Sequence, residues 1–170
     1  MYSKINSQTP LSGLVTLAEA KAQCRVTHTF DDDLIQSLIP AAAEKAQRYT
    51  RRLLTPANVT SVVDENQRLS VQLPYGEVTS VEEVLLDGED YTDFEFDDIT
   101  QKITVNKSYS KMRVTYDCGY TTLPDAVKHA ILICISTLYN NREDFIAGVT
   151  VAELPQTSMT LLDTVRYYGV

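Results

Sequence analysis

The densest set of chemically capable side chains is "DGEDYTDFEFDD", residues 87–98, where seven of twelve positions are carboxylates and none is a cation. Strand alternation puts Asp93, Glu95 and Asp97 on one face and Phe94 and Phe96 on the other. Three convergent carboxylates would hold a hard cation such as Ca²⁺, which would make metal-assisted hydrolysis chemically available. The spacing does not follow an EF-hand loop. A solvated acidic face over an aromatic core contact, or an acidic surface meeting a basic partner, uses the same pattern. Cys24 and His28 stand four apart, too few donors for a closed metal site. Neither a nucleophile elbow nor a phosphate-binding glycine loop occurs. We therefore expect no catalytic residue, no metal and no cofactor, and read the chain as not an enzyme.

Two further clusters suit recognition better than reaction. Lys45, Arg48, Arg51 and Arg52 crowd the end of a helical pattern, where cations complement the helix dipole and arginine can pair bidentately with carboxylates on another chain. In "DAVKHAILICISTLYNNRED", residues 125–144, an apolar stretch ends abruptly in polar groups. Tyr139 and Arg142, three apart on one face, suit a helix stop and a tether. Asp31, Asp32, Asp33 and Glu44 are candidate acceptors on the earlier long helix.

The elements that must position these groups change period along the chain. Residues 1–15 are polar and read as a flexible arm. Thr16 with Glu19 is a capping box, so a helix is predicted over about 16–25. Leu34, Ile35, Leu38, Ile39, Ala42, Ala46, Tyr49 and Leu53 carry a helical stripe over about 31–54, which Pro40 should kink rather than split. From about 57 to 118 the pattern becomes strand-like: Leu69, Val71 and Leu73 alternate, as do Met112, Val114, Tyr116 and Cys118, with turn signals between. Pro124 then opens a helix over about 124–143, with Val127, Ala130, Ile131, Cys134, Ile135 and Leu138 as its stripe. Residues 148–170 read as a linker and a short last helix, with Leu161, Leu162 and Val165 apolar. The fold class is α+β: a small α-helical bundle, an inserted antiparallel β-sheet or small β-barrel, and a C-terminal tail helix. An adaptor domain is expected over 16–147.

The 170 residues carry a formal net charge of −8, with 44% hydrophobic and 22% charged residues. Such a chain can bury a core, and its acidity disfavours wrapping of nucleic acid. No apolar run is long enough for a membrane span, and nothing at the N-terminus reads as a signal peptide. Synthesis in a reducing cytoplasm follows.

Four segments, in order, resemble the phage gp6-like head-tail connector proteins. "VTLAEAKAQCRVTHTFDDDLIQSLIPAAAEKAQRYTRRLL" is similar to their leucine–x–x–alanine–lysine helix and aspartate-started helix with its tyrosine–threonine–x–arginine ending. "LPYGEVTSVEEVLLDG", "CGYTTLPDAVKHAILICISTLYNNRED" and "LPQTSMTLLDTVRYY" resemble the later motifs, so the likeness covers about residues 15–168. The resemblance implies a structural virion protein at the head-tail interface, made in the bacterial host. It implies a ring of copies, commonly twelvefold, below the portal protein, extending the DNA channel and presenting a surface to the stopper or tail-completion protein. DNA would only pass through. Residues 156–170 would dock on the portal or a neighbouring copy through Leu161, Leu162, Val165, Arg166, Tyr167 and Tyr168. An assembly chaperone outside the virion is the other class.

Overall fold

A computed structural model describes residues 1–64, 69–141 and 157–168. The chain divides into two units, each discontinuous: Met1–Thr9 with Arg51–Thr121 and Tyr167–Val170, and Pro10–Thr50 with Thr122–Arg166.

In the second, helical unit, Thr16 and Glu19 form the anticipated capping box. The Thr16 N–H donates to Glu19 Oε2 at 2.9 Å and the Glu19 N–H to Thr16 Oγ1 at 3.3 Å. Helix α1, Leu17–Cys24, ends where Arg25 adopts left-handed backbone geometry. Helix α2, Asp32–Thr50, runs unbroken through Pro40. Its apolar stripe continues in phase on both sides of the proline: Ile35, Ile39, Ala42, Ala43 and Ala46 are all fully buried. Helix α3, Asp125–Asn140, buries Val127, Ala130, Ile131, Cys134 and Ile135, with Leu132 widening the stripe. It packs against α1, α2 and the short α4, Thr157–Asp163. Burial of each large side chain contributes roughly 1.5–3 kcal/mol. Ion pairs add direction to this packing: Lys128 Nζ lies 2.6 Å from Glu19 Oε1 and Lys21 Nζ 2.5 Å from Asp32 Oδ1.

Among the described residues, the β unit has two antiparallel sheets, of five and three strands, rather than a closed barrel. Its strands are β1 Tyr2–Gln8, β2 Ala57–Val63, β3 Ser70–Gln72, β4 Val78–Leu86, β5 Glu89–Asp90, β6 Phe94–Asp97, β7 Lys102–Val105 and β8 Met112–Cys118. The larger sheet runs β1-β2-β8-β4-β5 and the smaller β3-β7-β6. Met112, Val114, Tyr116 and Cys118 all point into the core, as alternation predicts. Val71 and Leu73 are buried likewise, but Leu69, expected to join them, lies before the strand and is half exposed.

Residues 2–8 are the main departure: in place of a flexible arm they pair with β2 along its length. A polar chain pins β1 from inside: Ser3 Oγ lies 2.7 Å from Ser61 Oγ, which is 3.0 Å from the buried Tyr116 hydroxyl. Gln8 and the Thr9 carbonyl close the far end on Thr55. At the same end of the sheet, Gly119 has φ +103°, and a Cβ there would meet the Thr55 carbonyl oxygen at 2.2 Å. Only glycine lets the chain leave β8 so close to that backbone.

Candidate docking surfaces

The C-terminal segment has contacts in both units, with the end of α2 in the helical unit and with Arg52 and Leu73 in the β unit. In the helical unit, Leu162 of α4 is fully buried. The Tyr49 hydroxyl donates to Asp163 Oδ1 at 2.7 Å, and the Arg166 guanidinium stands 4.8 Å from the Tyr49 ring centroid. Asp163 beside it raises the Tyr49 pKa, because the carboxylate accepts the phenolic proton. Thr50 turns its hydroxyl back to the Ala46 carbonyl and is buried.

In the β unit, the Tyr167 hydroxyl donates to the Leu73 carbonyl at 2.9 Å. Arg52 stacks 5.3 Å from the centroid of the Tyr167 ring and 6.0 Å from that of Tyr120, while its Nη1 is 2.9 Å from Glu77 Oε1. Burial raises the pKa of both tyrosines. The backbone under this seat is unusual, since Tyr75, Gly76 and Glu77 all have positive φ. A Cβ on Gly76 would approach Arg52 Nη1 to 2.7 Å and Tyr167 Cδ2 to 3.3 Å. Left-handed geometry at two non-glycine residues is strain that the Arg52–Glu77 pair helps to hold.

The other candidate residues are placed as follows. Tyr139, at the end of α3, donates to Asp31 Oδ2 at 2.5 Å. Arg142 lies outside the described residues, as does the 148–156 stretch read as a linker. Lys45 and Arg48 are exposed on α2 and Arg51 is exposed just after it, whereas Arg52 is turned to Glu77 and the tyrosines. Asp93, Glu95 and Asp97 do share an exposed face, with Phe94 and Phe96 packed toward the core. Asp97 is occupied locally: it accepts the Ile99 and Thr100 N–H groups at 2.9 and 3.3 Å and the Thr100 hydroxyl at 2.7 Å. Those hydrogen bonds, Thr100 first, lower its pKa. Among the described residues no group of three or more His, Cys, Asp or Glu side chains is arranged to hold a metal.

The segments "RYTRR" and "TLLDTVRYY", far apart in sequence, therefore supply the paired contacts that seat the C-terminal segment. The model of the phage gp6-like head-tail connector protein family matches residues 14–166. The chain belongs to that family. Its fold is similar to that of a chain in the neck of an empty GTA particle computed with C6 symmetry, at 16% identity and a TM-score of 0.75, covering 100% of this chain and 97% of that one. A chain of the virion of a native gene transfer agent particle matches with the same values. One in the neck of the native particle computed with C12 symmetry matches at 15% identity, with TM-score 0.75 and the same coverage. No curated protein matches.

Besides strand β1, sequence reasoning missed the outer face of this connector's larger sheet. Asn6 donates to Asn58 and Thr60, both at 2.8 Å; Asn58 donates to Asp117 at 2.8 Å and Glu82 at 3.0 Å; Ser80 donates to Asp117 at 3.1 Å. This ladder crosses β1, β2, β8 and β4. Isolated polar residues at alternate positions gave no hint of it, because the partners are separated by tens of residues.

Proposed function

We propose that this connector forms a ring below the portal protein of the filled head, twelvefold in the virion. The ring extends the DNA channel and offers the docking surface for the stopper or tail-completion protein. The observation that carries the reading is the family match over residues 14–166. The likeness in fold to chains of a particle neck, one computed with C12 symmetry, supports it. So does the net charge of −8: an acidic wall repels phosphate and lets DNA pass, where a basic wall would hold it.

Residues 156–170 supply the portal-side or neighbour-side contact. Leu162 and Tyr167 fix the segment to its own chain. Leu161 and Val165 are half-buried and Tyr168 is exposed, and together with Arg166 they form the face through which the segment docks. Ending the chain after residue 155 should abolish joining to portal-containing heads and tail attachment. Leu161→Ser with Tyr168→Ser should do the same while thermal stability stays near wild type, which separates docking from folding. If the shortened chain still joins heads and supports tails, the docking role is wrong. Absence of the protein from purified particles would instead favour an assembly chaperone.

A further inference from the structure

The ring reading leaves open which surfaces of neighbouring copies meet. A closed ring of identical subunits needs two different patches on each chain, complementary to one another. Among the described residues, two exposed surfaces of opposite charge meet that need. We propose that the acidic outer face of β6, with the turn that follows it, docks onto the cationic stretch of α2 in the next copy; this rests on the ring reading above.

The first patch is exposed and preorganised. Asp93 and Glu95 point to solvent, and the β6–β7 turn lifts Ile99 to 89% exposure. Asp97 clamps that turn through its three hydrogen bonds. Gln101, at φ +57°, donates from its side chain to the Asp98 carbonyl and accepts the Val78 N–H at 2.7 Å. A loop held in shape before its partner arrives loses little entropy on docking. Lys102 lies on the same face, paired in register with Asp97, so the free charge sits toward Asp93 and Glu95.

The second patch has the opposite sign. Lys45 and Arg48 are exposed on α2, and among the described residues neither has a carboxylate within 4.0 Å. Arg51 continues the exposed cations just beyond the helix. Glu44 is the acid on this stretch. Ala41, one turn before Lys45, is exposed and small, which leaves room for an apolar tip such as Ile99. In a protein of net charge −8, cations with no carboxylate within 4.0 Å among the described residues find their nearest chemical match in the carboxylate face of another copy. Arginine and lysine at such a contact also set register by excluding like-charged arrangements.

The test is a charge exchange on the full chain, read by sedimentation velocity and electron microscopy, alone and with heads lacking the connector. Variant one carries Asp93→Lys and Glu95→Lys; variant two carries Lys45→Glu and Arg48→Glu. All four side chains are exposed, and unchanged melting temperatures confirm folding. Each variant alone should assemble at concentrations more than about tenfold above wild type, or not at all. An equimolar mixture should recover rings of alternating copies, because each reversed face then meets a reversed partner. Wild-type rings with both single variants also ringing, or with no rescue on mixing, would overturn this contact alone. A wild-type chain that never forms rings, even on heads, would sink the ring reading and the contact with it.

Discussion

Arg52→Ala is the substitution that most directly asks whether the C-terminal segment is held by the β unit. Arg52 has a 2.9 Å ion pair with Glu77, whose side chain is 45% exposed, so solvent screening limits that pair to about 0.5–1 kcal/mol. Stacking at 5.3 Å from the Tyr167 centroid, with the guanidinium mostly out of water, contributes about 0.5–2 kcal/mol. Tyr120, at 6.0 Å, sits at the edge of the useful range and adds little. Together the loss should be about 2 kcal/mol, or about 4–8 °C in melting temperature for a chain of this size. If half or more of it falls on local opening, hydrogen exchange in peptides covering residues 157–168 should speed up about five- to thirtyfold. Arg52→Lys should restore the ion pair but not the planar stacking, and so recover about half. Exchange in those peptides within twofold of wild type for Arg52→Ala would refute the reasoning, whatever happened to global stability.

Three further outcomes follow from the same geometry. Gly119→Ala forces a Cβ to 2.2 Å from the Thr55 carbonyl oxygen at φ +103°, and should cost about 3–5 kcal/mol by urea unfolding; a change under about 1 kcal/mol would show that the backbone yields easily. Tyr139→Phe removes the donor to Asp31 and should cost about 1–2 kcal/mol, with no further loss when Asp31→Asn is added; additive losses in that double-mutant cycle would deny the tether. The third concerns acid. The hydrogen bond from Lys128, then those from Thr16, hold Glu19 down from 4.5 to about 2. A depressed carboxylate stabilises fully above its unfolded value and loses that contribution as pH falls through the folded one. Wild type and Glu19→Gln should therefore differ in melting temperature at pH 7 and converge between pH 4.5 and about 2; a constant gap across that window would contradict the linkage.

Much of the architecture was legible because it depends on local period. The stripe of α2 survives Pro40 since its buried residues stay in helical phase, and β8 alternates cleanly because one face meets a core and the other does not. Strand β1 was illegible for the opposite reason. "YSKINSQ" carries Tyr2 and Ile5 as its large apolar residues, because an edge strand is exposed to water along much of its length. Its strand character comes from β2, some fifty residues away, and no local pattern reports that. The two adjacent arginines illustrate a second limit. Arg51 takes left-handed geometry and points outward, which re-aims Arg52 toward Glu77; composition could place both in a basic patch but could not divide them. Of the two residues read as a tether on α3, Tyr139 donates to Asp31, while Arg142 lies outside the described residues.

The interleaving of the two units has a consequence for how the protein is made. Neither unit is a continuous piece of chain: the β unit takes Tyr167 into its seat, and the helical unit takes Leu162 into its core. During translation the β strands and α1–α3 can emerge and begin to pair, but each unit lacks one piece until residues 157–168 clear the ribosome. A message cut short or a stalled nascent chain would then leave both halves unfinished, with the apolar site of Leu162 open to proteases and chaperones. Residues 157–168 thus complete both units at once, and neither closes before they are made.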